Sequence, residues 1–189
     1  MTTPMSDRPH VTLTTERLTL RAISERDVEA QYAVFSDPEV TRYWSRGPWT
    51  GIEEAAEATA AAVAAYADGS ALRLGIVLRT TGLLIGNVSL HHFEQASRRC
   101  EIGYALARAH WGHGYVTEAL RAMLDHGFDT LGLNRIEADV DPRNTGSARV
   151  LEKLGFQKEG YMAERWIVQG EPADTVWYGL LKRHWKRTP

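Results

Sequence analysis

The run Trp111-Gly112-His113-Gly114-Tyr115-Val116-Thr117-Glu118-Ala119 joins a glycine loop directly to the start of an amphipathic helix. Such a junction suits phosphate. Glycines let the backbone approach a ligand and adopt φ > 0, and the first N–H groups of a helix lack internal partners, so an anion meets free donors and a favourable dipole. A short glycine loop is also an ordinary strand-to-helix turn, so the neighbouring residues decide. Upstream, Cys100-Glu101-Ile102-Gly103-Tyr104-Ala105-Leu106 alternates as a strand. Cys100, Ile102, Tyr104 and Leu106 share one face, and the other carries the Glu101 carboxylate beside the small residues Gly103 and Ala105. Downstream, Asn144 opens a helix with Val150, Leu151 and Leu154 as apolar positions and Gly155 as its stop. Asn144 and Ser147 fall on the stripe of Leu151 and Leu154, where a hydroxyl needs a partner, either its own helix carbonyl or a ligand.

The elements that position these residues follow from periodicity. Strands are expected at Leu18–Ala22, Leu72–Leu78, Leu84–His92, Arg135–Val140, near Phe156–Val168 and at Asp174–Leu181. A helix follows Ser24, whose capping box Asp27 completes, and another follows Thr50, with Glu53 as box partner, running to about Ala67. The glycine loop leads into a helix with Val116, Leu120, Met123 and Leu124 on one face. Strands alternating with helices in a mostly antiparallel frame predict an α/β (α+β) fold with one mixed sheet. No repeat, linker or composition break divides the chain, so residues 1–189 are expected to form a single domain, with 1–12 a flexible N-terminal segment.

Bulk properties narrow the field. A chain of 189 residues buries roughly 70% of the surface of its unfolded form, enough for one full core. A net charge of −2, from 22 basic and 24 acidic residues, argues against nucleic-acid binding, which needs a concentrated basic face. The basic stretch Lys182–Arg187 is expected to be a solvated end. Cys100 is the single cysteine and cannot form an internal disulfide. The sequence holds no apolar run of membrane-spanning length and no signal-peptide core at Met1–Ser6, so the cytoplasm is the expected location, without membrane attachment. A dinucleotide oxidoreductase would need a third glycine in the loop, and a P-loop enzyme would need Gly-Lys-Ser/Thr. Seven histidines invite a metal site, yet His91 and His92 should point to opposite faces of a strand, so no metal is expected.

Taken together, these stretches resemble the GCN5-related N-acetyltransferases (GNAT), in the branch of the ribosomal-protein N-terminal acetyltransferases RimJ and RimL. The resemblance spans nearly the whole chain. It takes in Thr15–Arg21, Asp37-Pro38-Glu39-Val40, Ile85-Gly86-Asn87-Val88, Glu101–Tyr104, Trp111–Tyr115 and Asn144–Phe156, the last being the most specific. One departure is Ala109, where the superfamily often carries Arg or Gln, so phosphate binding would rest on backbone amides. The resemblance implies a splayed pair of strands holding acetyl-CoA as cosubstrate. Its pantetheine arm would lie against the backbone of Tyr104, Ala105 and Leu106, and its pyrophosphate on the loop Trp111, Gly112, His113, Gly114, Tyr115, Val116 and Thr117. Asn144 would bond the arm from the other side, and Arg149 or Lys153 could reach the adenosine phosphates, the alternative for both being a plain exposed helix position.

Acetyl transfer to an amine requires the neutral amine, and an alkyl amine with a pKa near ~10 is mostly protonated at neutral pH. Glu101, on the low-walled face of its strand, is the candidate base, directly or through water; the alternative is a surface pair with Arg98 or Arg99. Ser147 is implied as proton donor to the leaving thiolate, or else only as a cofactor ligand. A strand N–H near Tyr104, at a bulge implied by the family, would hold the oxyanion. The acceptor, a protein or peptide N-terminus or a small-molecule amine, is expected among Phe35, Trp44, Trp49 and Trp166. Trp44 and Trp49 flank a Gly/Pro loop, where burial is less automatic. Monomer and homodimer both fit. The alternative function is a non-catalytic acetyl-CoA-binding regulatory or interaction module.

Overall fold

Period-two alternation carries directly into the sheet. In β2 (Leu18–Ala22) Leu18 and Leu20 are fully buried, and in β6 (Arg135–Val140) Ile136, Ala138 and Val140 point inward between polar neighbours. The computed structural model describes residues 11–186. The other strands are β1 (Thr12–Thr14), β3 (Leu72–Leu78), β4 (Leu84–Glu94), β5 (Arg99–Leu106), β7 (Gln157–Val168) and β8 (Glu171–Leu181). They form one eight-stranded sheet in the order β1-β2-β3-β4-β5-β6-β8-β7. Neighbours pair antiparallel, except that β5 and β6 run parallel. Residues 1–10 of the segment expected to be flexible lie outside the described residues, and Thr12 at its end opens β1.

Helices cover both faces, which is why β3 and most of β4 are buried on both sides. α1 (Val28–Phe35), the short α2 (Pro38–Thr41) and α3 (Ile52–Asp68) lie on one face. Ala55, Thr59 and Ala62 form a small-residue stripe that lets α3 approach closely. α4 (Tyr115–Asp125) covers the other face with Ala119, Leu120, Met123 and Leu124, joined there by Leu151 of α5 (Thr145–Lys153). The capping box at Ser24 forms as expected, its backbone N–H donating to Asp27 Oδ2 at 2.8 Å. That at Thr50 shifts by one residue: Gly51 is the N-cap of α3, and Glu54 rather than Glu53 accepts from the Thr50 N–H and hydroxyl.

The ladder between β5 and β6 has only the rungs Arg99↔Arg135, Cys100↔Ile136 and Glu101↔Glu137. Beyond Glu101 the two strands carry no paired residues, and the sheet opens into a cleft. The β4–β5 ladder runs without a shift from Gly86↔Leu106 to His91↔Glu101, so no irregularity falls at Tyr104; it comes instead between His91 and Glu94. Among the described residues no helix is long and apolar enough to cross a membrane.

Candidate active site

Alternation along β5 sends Glu101, Gly103 and Ala105 toward α1 and α3 and places Cys100, Ile102 and Leu106 in the opposite core. At the opening of the sheet lies a cavity of about 350 Å³. Glu101, Tyr104, Asn144 and Ser147 line it together with Phe35, Trp44, Trp49 and Trp166. The proposed acid–base residues and the proposed acceptor residues therefore share one space.

Ser147 is placed by α5. Asn144 caps that helix, its Oδ1 accepting from the Ser147 N–H at 3.0 Å, which leaves the Asn144 amide NH₂ for a ligand. The Ser147 hydroxyl finds a partner absent from the sequence pattern, the Tyr104 hydroxyl at 2.6 Å across the cleft. Burial pushes the Tyr104 phenol up to about 12, so at neutral pH it keeps its proton.

Glu101 does not pair with Arg98 or Arg99. Arg99 bonds Glu137 at 3.0 Å, and Glu101 Oε2 lies 3.2 Å from His92 Nδ1 and 3.9 Å from His91 Nε2. The expectation that these two histidines face opposite ways fails at the irregularity in β4. His92 adopts φ +50°, in the left-handed region, and the two rings come within 4.8 Å of each other. His91, His92 and Glu101 thus offer three ligand atoms within 4.8 Å of one another, a set that could take a divalent cation.

Burial, and then the charges of His92 and Arg73, lower the His91 pKa from 6.5 to about 4. In that interval the unfolded chain takes up a proton that the folded chain refuses. The contribution of His91 to stability is therefore present above pH 6.5 and is lost as the pH falls toward 4. Replacing His91 by Asn is expected to flatten the melting-temperature profile across this window. An unaltered profile would refute the assignment.

The glycine loop sits beyond the end of β5, outside the cavity. Gly112 and Gly114 have φ +78° and +79°, and Gly114 caps α4 without a side-chain hydrogen bond to the first turn. The amides of Tyr115, Val116 and Thr117 are consequently available. A clasp missed in the sequence fixes this turn. Glu118 accepts from the Thr15 hydroxyl at 2.6 Å and from Arg17 Nε at 2.7 Å, and Arg17 Nη1 donates to the His113 carbonyl at 2.9 Å. A basic side chain thus stands behind the loop despite Ala109. His113 stacks on Tyr115. The Trp111 indole donates to the Leu106 carbonyl at 2.7 Å, so that acceptor, expected to face the cosubstrate, is already engaged. Arg149 is exposed on α5.

Of the aromatic residues, Trp166 is half-exposed and donates to Asp139 at 2.9 Å. Trp49 stays in its loop and lines the cavity, yet it is buried against Phe35, with ring centroids 4.7 Å apart. Trp44 meets the other edge of Phe35 at 5.2 Å. The polar floor of the cavity was also missed. The Asn87 amide donates to Gln31 Oε1 at 2.9 Å, and Gln31 lies 3.4 Å from Thr59. Arg73 and Ser89 stand beside them.

Residues 17–157 match the model of the acetyltransferase (GNAT) domain family. The chain is 40% identical over 174 residues to an uncharacterized N-acetyltransferase, p20, of Bacillus licheniformis, covering 92% of this chain and 98% of that one. It is 27% identical to the [ribosomal protein uS5]-alanine N-acetyltransferase of Escherichia coli, covering 95% of each. A GNAT-family acetyltransferase from Bacillus anthracis superposes with a TM-score of 0.83 at 29% identity, over 92% of this chain and 99% of the other.

Proposed function

The chain belongs to the GNAT acetyltransferase family, and from that premise we propose that it moves the acetyl group of acetyl-CoA directly to a primary amine, with both substrates bound together. The observation that carries this is the cleft itself. The sheet opens just past Glu101, with a carboxylate on one side of the gap and the Tyr104–Ser147 hydroxyl pair on the other. A base and a proton donor flanking one gap are what amine acylation by a thioester requires.

Acetyl-CoA would supply the activated acetyl group, held by the Gly112–Thr117 amides, the Asn144 amide and the free edge of β5. Glu101 takes a proton from the ammonium form of the acceptor, and the nitrogen lone pair forms the C–N bond as the C–S bond breaks. The sulfur keeps that electron pair and takes a proton from Ser147 Oγ, which Tyr104 can replenish. Of the two protons the nitrogen gives up in all, the first passes from Glu101 to solvent, and the second restores, through Tyr104, the proton that Ser147 gave to sulfur. His92, its side chain 70% exposed beside Glu101, offers a way out.

Free-thiol release from acetyl-CoA over a broad amine panel tests the reading. Release that depends on an amine supports it, whereas binding of acetyl-CoA with no release for any amine would favour the non-catalytic module. Ser147→Ala is expected to lower kcat by about 10- to 1000-fold with little change in CoA affinity. Wild-type kcat in that variant would reject proton donation by the serine.

A further inference from the structure

Arg73 lies on β3 and lines the cavity. Its registry neighbour is Ser89 on β4, and Ser89 stands opposite Gly103 on β5, two residues beyond Glu101. The side chain therefore starts about 10 Å across the strands from β5, and a long arginine can span most of that. It is half-buried, and among the described residues no hydrogen bond or ion pair reaches it. Burial, and then the like charge of Arg46 in the loop over the cavity, lowers its pKa. His91 lines the same cavity, its Nε2 3.9 Å from Glu101.

A desolvated guanidinium without a counter-ion is costly, and its planar fork of donors matches a carboxylate. The acids that line the same cavity are committed elsewhere. Asp139 accepts from Trp166, Asp141 pairs with Arg143 at 2.6 Å, and Asp174 accepts from Tyr161 and from the Glu164 N–H. Only Asp141 is neutralised by a cation, while Asp139 and Asp174 keep their charge on the β6 and β8 side, so Arg73 on β3 has no carboxylate partner among the described residues.

We propose that Arg73 is the anchor for a carboxylate on the acceptor, and that the acceptor is a free α-amino acid whose amine faces Glu101 while its carboxylate meets Arg73. This rests on the acetyl-transfer reading above. Glu101 removes a proton from the α-ammonium group, C–N bond formation and C–S cleavage follow, and the products are an N-acetyl amino acid, CoA as its thiol and one proton. A polyamine has no carboxylate to meet Arg73, and a peptide N-terminus presents none at that distance.

The test measures thiol release from acetyl-CoA with each of the common amino acids, its α-carboxamide, an alanine-initiated peptide and spermidine. At least one amino acid is expected to exceed its own carboxamide by about tenfold or more in kcat/KM, the discrimination typical of a lost charged partner. Arg73→Gln should bring that acid-to-amide ratio toward one, and Arg73→Lys should restore part of it. A carboxamide, peptide or polyamine preferred by the wild-type protein overturns the anchor while leaving acetyl transfer standing, and so does an acid preference that persists in Arg73→Gln. If no amine releases thiol from a folded protein that binds acetyl-CoA, acetyl transfer itself falls, and the anchor falls with it. The wild-type ratio decides even if the Gln variant fails to fold.

Discussion

Glu101→Gln is expected to lower kcat/KM for amine acetylation by about 10²–10⁴-fold, the usual contribution of a positioned general base. The substitution keeps size and can still bond His92, which lies 3.2 Å from the carboxylate, but it removes the basic oxygen. The acidic limb of the pH–rate profile should flatten with it. Melting temperature and the acetyl-CoA-dependent shift should stay close to wild type, because the carboxylate pairs with no arginine and its contacts are two histidines, one of them largely exposed. A structural role predicts the opposite pattern, a lower melting temperature with turnover intact. Wild-type kcat/KM with the acidic limb retained would sink the assignment.

The second large effect is expected at the glycine loop. Ligand at about 100 times its Kd adds roughly 2.7 kcal/mol to stability, and Gly112→Val or Gly114→Val should remove most of that shift. At φ +78° and +79° a β-branched residue is strained by about 1–2 kcal/mol or more. The strain lowers the melting point of the free protein and is read separately. A Cβ at Gly112 would meet no protein atom within 4 Å, so a lost acetyl-CoA shift there reports blocked access to the amides rather than an internal clash. At Gly114 the nearest atom is Arg17 Nη2 at 3.5 Å, which couples the loop to its clasp. An unchanged acetyl-CoA shift in both variants would rule out the loop as the phosphate cradle.

Features set by local chain chemistry were legible in the sequence. β2, β3 and β6 begin and end where alternation placed them, Asn144 caps its helix, and the face parity of β5 puts Glu101 in the cavity. α2 carries its own signal, Asp37 capping with Pro38 at the first helical position, although the periodicity expected no helix there. Features that depend on distant partners were not legible. The Tyr104–Ser147 contact spans 43 residues, and the Arg17–Glu118 clasp spans 101. The turn of His92 into the left-handed region has no glycine to announce it, and it reversed the expected geometry of the histidine pair. Trp49 lies in a stretch whose composition suggests exposure, yet Phe35 gives it an apolar neighbour and a backbone bond at 3.0 Å.

Mechanically, a weak line of the sheet runs through the site, since β5 and β6 share three rungs, no more than the short edge strand β1 shares with β2. Among the described residues the strands on either side are joined by the rungs from Arg99↔Arg135 to Glu101↔Glu137 and, just before them, by the Asn134 N–H donating to the Arg98 carbonyl at 2.7 Å, so a twist between the two halves would be taken up along this short line and would alter the aperture of the cleft. At the closed end of that line Glu137 grips both Arg99, at 3.0 Å, and Arg135, at 2.6 Å, while Arg135 also holds Glu159 of β7. This knot of charges touches no part of the cavity and stands where a rivet would stop a tear from running. A stiff knot at that point would limit how far the two lips can part.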